Sequence, residues 1–491
     1  MSVNNEHPLY KARKNLRGRI RDCMTGTDRV KSKTTRYLPL PDPVCNSASD
    51  DRYKSYLMGA YFINLPARTV RAFSGLVQRK EHDIELITSL DYMYEDADGN
   101  GTSLQQMIGY ALDECETLGN FGILTKMPLT NDANGNKLNN QSNEGDFLPT
   151  IHIYDEEQII NWRVTNGKLS MVVLLEADEV PKPTDMFETQ VIATYRVLYI
   201  GEDGKLHEDL YKGQERDAII NDFYADDYYS GIVSVGDSWE ITKSTYNERK
   251  EIPFTFCGAI SNEPGLDPSP IENICDFALK MYQVSADEML NVHNASGGVL
   301  TISSQLGQDD WEALNGSTDI NVNFGAIHLG EKGAMSYVQA SEATMINSVM
   351  DRLMTLAIAQ GAQVIMPNQQ DKTATEARID QGANLSQLGQ IAQNIGQAFT
   401  WSINMAARMI NQPEDNLVKL NQEFFSEKLS AEDMRAWSEL IMRGHATETD
   451  LRRDMRKGGR IDSDREDDDI DNELAEAQSD AGMVAGFDNA I

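Results

Sequence analysis

Ser269-Pro270-Ile271-Glu272 opens the stretch that decides the fold, and Thr373-Ala374-Thr375-Glu376 opens its last element. The first tetrad has an N-cap serine, a proline at the first helical position and a glutamate three residues after the cap. Apolar residues then recur at Ile271, Ile274, Cys275, Ala278, Met281, Tyr282, Met289 and Leu290, close to a 3.6 period. A polar, glycine-rich segment interrupts the pattern. A second helix follows Ser341, with Ile346, Val349, Leu353, Leu356, Ala357 and Gln360 on one face. Residues 361–372 carry no periodicity. The second tetrad is another capping box. It starts the longest predicted helix, with Leu385, Leu388, Ile391, Ile395, Ala398, Phe399, Met405 and Met409 in register.

The insert between the first two helices, Asn294–Ala340, reads as a small α+β module. Val299–Ile302 is a strand after Gly297-Gly298. Trp311 and Leu314 suggest a short helix, and Ile320–Phe324 alternates as a half-buried strand does. About 45 residues rarely bury a sufficient core without a partner.

N-terminal to this stretch, Tyr53–Lys80 is patterned as a helix that Pro66 must break or kink. Ser103–Leu118 is a second helix, ended by Gly119. Ile123–Met127 reads as a strand, Asn131–Glu144 as a surface loop, and Pro149 to about Phe256 as mostly β. Met171–Leu175 is a buried strand, Gln190–Ile200 and Trp239–Thr242 continue the pattern, and Asp222–Tyr229 is a loop. After the long helix come a strand at Leu417–Leu420 and two short helices between Ser430 and Lys457, punctuated by Gly444 and Gly458-Gly459.

The chain of 491 residues has a formal net charge of −33. Such an excess of acid repels DNA and acidic membranes. It is unevenly spread. Ten basic residues crowd positions 1–37 (Lys11, Arg13, Lys14, Arg17, Arg19, Arg21, Arg29, Lys31, Lys33, Arg36), whereas Asp462–Ile491 holds eleven acids and one base. The acidic block reads as a solvated tail. The basic start could meet nucleic acid or the acidic surface of a neighbouring copy. Five scattered cysteines, without a Cys-x-x-Cys pair, predict reduced thiols. The absence of a signal-like segment or an 18-residue apolar run predicts a chain that neither follows that export route nor spans a membrane.

Chemical motifs fail on specific residues. Asp96-Ala97-Asp98-Gly99-Asn100-Gly101 starts like a calcium loop, but Met107 stands where the site needs a bidentate glutamate, so the segment reads as an Asx/Gly turn. Gly201–Leu206 lacks the phosphate-loop spacing, His207-Glu208 is followed by Tyr211 rather than a zinc-binding histidine, and no Gly-x-Ser-x-Gly elbow occurs. The pattern implies no enzyme, no metal and no cofactor. The helix pair 430–457 carries Arg452, Arg453, Arg456 and Lys457. It could be a helix-turn-helix, but it reads better as a packed hairpin with a solvated basic face.

The order of elements resembles the portal proteins of tailed bacteriophages. The residues that carry the likeness are Tyr37-Leu38-Pro39, Asp98-Gly99-Asn100-Gly101-Thr102-Ser103-Leu104, Thr373-Ala374-Thr375-Glu376-Ala377 and the hairpin Ala446–Gly459. The resemblance implies an α+β, portal-like subunit. Its N-terminal α/β wing would be 1–265, with 412–428. Stem helices at 266–293 and 341–360 would flank a small α/β clip at 294–340. A tunnel loop at 361–372, a long wing helix at 373–411, a helical crown at 429–460 and the acidic tail 461–491 would complete it. It further implies a homo-oligomeric ring, of twelve subunits in that family, set at the capsid vertex of the virion and assembled in the host cytoplasm. Double-stranded DNA would pass through it during packaging and ejection. Its partners would be the large terminase, a head-tail adaptor, and the major capsid and scaffolding proteins, with no membrane. In the tunnel loop, Gln363, Met366, Asn368, Gln369, Gln370 and Lys372 would face DNA. In the clip, Trp311, Asn321, Asn323 and His328 would dock partners. The alternative is another oligomeric head or baseplate protein without a DNA channel.

Overall fold

The computed structural model describes the chain except residues 1–2, 42–46, 128–147, 183–184, 213–239, 248, 297–298, 304–306, 316–333, 339–343, 361–373, 423, 425–430, 458–460, 462–464, 466 and 474–491. It is α+β and divides into two compact units, residues 1–75 with 82–420, and residues 76–81 with 421–491.

The larger unit starts with α1 (Pro8–Thr25) and the short α2 (Thr27–Ser32). Then α3 (Asp51–Gly59) and α4 (Leu65–Val77) share the stretch read as one helix. The break precedes Pro66 because a proline is tolerated in the first helical turn, where its missing N–H is not needed. Asn64 caps the new start, its Oδ1 accepting from the Ala67 amide at 3.1 Å. α5 (Leu104–Leu118) has the full capping box expected from Ser103, with Gln106 reciprocating. Ahead of it, Asp96 Oδ1 accepts from the Gly99 and Gly101 amides at 2.8 and 2.9 Å, and Asp98 Oδ1 from Asn100 and Thr102. These are the Asx turns that the sequence suggested.

Strand β1 (Asp83–Glu85) is too short to read from sequence. Strands β2 (Asn120–Lys126), β3 (Thr150–Asp155), β4 (Ile159–Thr165), β5 (Lys168–Lys182), β6 (Asp185–Ile200), β7 (Leu206–Lys212), β8 (Glu240–Asn247) and β9 (Phe254–Gly258) follow. They form an antiparallel three-stranded sheet, β3-β2-β9, and a five-stranded antiparallel meander, β4 to β8. Val172, Val173, Leu174 and Leu175 of β5 are buried, as that apolar run required.

The deciding stretch then unfolds in order. α6 (Glu272–Ser296) leads to β10 (Val299–Ser303), α7 (Gln308–Asn315), β11 (Ala334–Val338), α8 (Thr344–Ala359) and the 36-residue α9 (Ala374–Met409). β10 pairs antiparallel with β11, Val299 facing Val338 and Ser303 facing Ala334. The sequence reading missed β11; the strand it expected at Ile320–Phe324 lies outside the described residues. α9 packs on β2, β9 and α5. Its Gly396 lets it close on β12 (Leu417–Lys419), since a Cβ there would sit 2.8 Å from the Val418 carbonyl oxygen. β12 pairs with β1, tying residues 83–85 to 417–419.

Several of the basic N-terminal residues have partners within the chain. Arg21 donates to Glu114 at 2.7–2.8 Å and to Glu157 at 3.2–3.3 Å. Arg29 meets Asp22 at 2.6 Å, and Arg19 meets Glu272 and Asp276 at 3.4 and 3.2 Å. Neither DNA nor a neighbouring copy is needed to explain these charges.

The smaller unit holds a helical hairpin, α10 (Ala431–Met442) and α11 (Glu448–Lys457), turned at Gly444. Within the stretch read as a solvated acidic tail, residues 467–473 are helical.

Candidate functional site: the paired helices and their insert

The root of α6 is held by polar groups from three separated parts of the chain: Arg13, residues 117–120 and residues 267–269. Ser269 Oγ donates to the Thr117 carbonyl at 2.6 Å and accepts from the Ile271 amide at 3.3 Å, so the predicted N-cap also ties α6 to the end of α5. The Asp267 amide donates to Asn120 Oδ1 at 2.7 Å, and Asn120 Nδ2 returns a bond to the Asp267 carbonyl at 2.8 Å. Arg13 of α1 donates to that same carbonyl and to the Leu118 carbonyl. Gly119 sits between them at φ +87°, where a Cβ would come within 2.6 Å of the Pro268 oxygen. Only glycine fits that approach without strain.

Below this knot, Glu156 is fully buried between Arg13 at 3.3 Å and Arg17 at 3.4 Å, with Asn120 Nδ2 at 3.1 Å. Burial raises its pKa, and the two guanidiniums oppose that rise. Next to it, Asp155 accepts from Tyr110 Oη at 2.7 Å. Burial, with the nearby Glu114 charge, pushes Asp155 up to about 7 despite Arg21.

Along α6, Ile271, Ile274, Cys275, Ala278, Met281, Tyr282 and Ala286 are buried in one cluster with Ile20, Cys23, Tyr53, Leu65 and, from α8, Ala357. Polar bonds follow the same face: Gln283 Nε2 to the Tyr37 carbonyl at 2.8 Å, Ser285 Oγ to the Tyr61 carbonyl at 2.9 Å, and Tyr56 Oη to Asp287 at 2.6 Å. α8 runs antiparallel to α6. Asn273 near the start of one donates to Gln360 past the end of the other at 3.1 Å, and β10 and β11 continue from their far ends.

The apolar stripe does not stop where this cover stops. Met289, Leu290 and Val292 of α6 are 38%, 38% and 57% exposed, and Met345 of α8 is 75% exposed. Val349 and Leu356 are also exposed. Among the described residues, α6 is thus anchored at its root and exposes apolar residues toward the insert, while α8 exposes Leu356 near the root as well.

Of the residues singled out in the sequence, Trp311 lies partly buried on α7. Asn321, Asn323, His328, Gln363, Met366, Asn368, Gln369, Gln370 and Lys372 lie outside the described residues. The ends of the 361–373 segment are placed: Gln360 closes α8 by donating to the Leu356 carbonyl, and α9 starts at Ala374. Arg13, Asn120, Glu156 and Asp267, which fix the root, were not anticipated; each is an ordinary polar residue in its local sequence. Among the described residues, no group of three or more His, Cys, Asp or Glu could hold a metal ion, and no helix is long and apolar enough to cross a membrane.

Residues 270–410 match the family described as "Domain of unknown function (DUF4055)". Those limits coincide with the α6–insert–α8–α9 stretch. No curated protein matches the chain. Among solved structures, the chain is similar to one from the neck of an empty GTA particle computed with C6 symmetry. That match has 12% identity and a TM-score of 0.40, covering 83% of this chain and 93% of the other. A chain from the virion of a native gene transfer agent particle matches at 12% identity and a TM-score of 0.39, over 88% and 96%. One from the neck of a native GTA particle computed with C12 symmetry matches at 12% and 0.38, over 78% and 86%. At such identity and TM-scores, likeness fixes neither a family nor the role of any residue.

Proposed function

We propose that this chain is a non-enzymatic subunit of a closed ring in a virion, built to let double-stranded DNA pass, as in the portal proteins whose element order it resembles. One observation carries the reading. An antiparallel helix pair is firmly rooted in the body, bears a β-stranded insert at its far end, and leaves its apolar stripe uncovered there. A closed ring of identical subunits covers such a stripe on every copy, with Met289, Leu290, Val292, Met345 and Val349 packed against neighbours. α6, with 25 residues, is about 37 Å long, enough to form a channel wall.

The net charge of −33 suits passage, because a negative wall does not grip phosphates as a basic one does. In this reading residues 361–372 line the narrowest part of the channel. Gln363, Met366, Asn368, Gln369 and Gln370 would make steric contacts, and Lys372 an ionic one. The insert, with Trp311, Asn321, Asn323 and His328, would dock first the packaging motor and then the head-tail adaptor. The ring would stand at the capsid vertex.

Deleting residues 363–370 tests the assignment. Rings should form as before, while particles package or retain less DNA. Unchanged packaging would remove the segment from the channel.

A further inference from the structure

The basic helix α11 is covered by the chain's own acidic segment, and the two match in spacing. Arg452 and Arg456 stand one turn apart on one face of α11. Asp467 and Asp471 stand one turn apart on the helical residues 467–473. The pairing is antiparallel: Arg452 Nη2 meets Asp471 at 2.6 Å, and Arg456 Nη2 meets Asp467. Arg456 Nε and Nη2 also donate to the Arg465 carbonyl at 3.1 and 2.8 Å, and Arg465 itself meets Glu473. Arg452 also meets Glu448 at 3.9 Å within its own helix.

We infer that this face of α11 is a contact surface for the phosphate backbone of duplex DNA, kept closed by residues 467–473 acting as an internal mimic of that backbone. The ring proposed above is not required for it. Three features point this way. The mask sets two anions, Asp467 and Asp471, one helical turn apart, opposite two arginines one turn apart. Its ion pairs are only partly covered: Asp471 and Asp467 are 63% and 31% exposed over Arg452 and Arg456 at 12% and 21%, so salt screens them. A tethered mask nevertheless holds a high local concentration, so a competitor needs a further source of free energy. Duplex DNA has one, since arginines that neutralise phosphates release condensed counterions. A flexible acidic peptide offers far less.

The test uses the full chain and a fluorescent duplex of about 24 base pairs, followed by anisotropy between ~50 and ~200 mM salt. The mask is removed with D467N/D471N/E473Q. A control, D309N/D310N/E263Q, removes the same charge elsewhere. The unmasked protein should bind at least about tenfold tighter than wild type at ~50 mM salt, and the control should bind as wild type does. Adding R452A/R456A to the unmasked protein should abolish the gain and flatten the salt slope by about two, one per lost phosphate contact. Circular dichroism and elution volume matching wild type establish that the variants fold. Equal tightening in the control, no tightening in the unmasked variant, or a gain that survives R452A/R456A would each overturn the inference. So would displacement of the duplex by polyglutamate at the same concentration of charge.

Discussion

The two ends of the α6–α8 pair carry the same kind of residue and meet opposite environments. Near the root, Ile274, Met281 and Tyr282 are sealed by α1, α3 and α4, and Ser269, Asp267 and Asn120 are bonded within the chain. Toward the insert, Met289, Leu290 and Met345 continue the stripe into the open. The root is a folding element that needs nothing beyond the subunit. The far end exposes apolar residues among the described residues, a surface that a second molecule would cover on the proposed reading. On the proposed reading, one helix pair thus serves stability at one end and assembly at the other.

Substitutions should separate these roles. Ile274→Ala, at the sealed end, should cost about 2–5 kcal/mol in urea unfolding, through lost burial and an unfilled cavity. A cost under ~0.5 kcal/mol would mean the root is not a packed core. Asn120→Leu removes both bonds to Asp267, stranding its amide while its carbonyl keeps Arg13, and takes away the Nδ2 bond to Glu156. It should cost about 1–3 kcal/mol. Wild-type stability there would show that the polar knot is incidental to how α6 is rooted.

A smaller effect comes from the carboxylates beneath the root. Asp155 is pushed up to about 7 by burial and Glu114, so between its unfolded value near 3.9 and about 7 the folded state keeps a proton that the unfolded state loses. Its contribution is full at acid pH and is lost as pH rises through about 7. Asp155→Asn should therefore flatten the pH dependence of stability between roughly 4 and 7. An unchanged profile would place the titration elsewhere. Glu176 behaves oppositely. Burial disfavours its charge, but the hydrogen bonds and charge of Arg196, with Lys126, hold it at about 2, so its contribution persists at neutral pH and is lost only as pH falls toward 2.

The exposed end should be almost silent in unfolding. Leu290→Ser with Met345→Ser should change subunit stability by less than ~0.5 kcal/mol, yet shift sedimentation from assembled to single subunits. A large loss of stability without a change of assembly would reverse the assignment of the two ends.

Much of this fold was legible in the chain because its signals are local. The capping box at Ser103 and Gln106, the glycine stop at Gly119, the N-cap at Ser269 and the long periodic run to Met409 each rest on residues a few positions apart. What escaped is non-local. β11 is a short Ala-Met-Ser-Tyr-Val run whose strand character comes from pairing with Val299–Ser303, some 35 residues away. β1 is three residues made a strand by Leu417–Lys419. The basic N-terminus looked available to outside partners because its carboxylates lie far along the chain, Glu156 for Arg13 and Glu272 for Arg19. Periodicity placed Ile274 and Met289 on one stripe but could not say that one is covered and the other exposed. Of the candidate site, the sequence located the helix pair and its insert, but not the Arg13–Asn120–Asp267 knot that roots them.

The central claim is that function lies in a closed assembly with a hole, and averaged electron-microscope images of the purified full chain test it most directly. The account predicts rings of identical subunits around a central opening wide enough for a DNA duplex. A protein that stays monomeric at high concentration, or an assembly with no such opening, would contradict it.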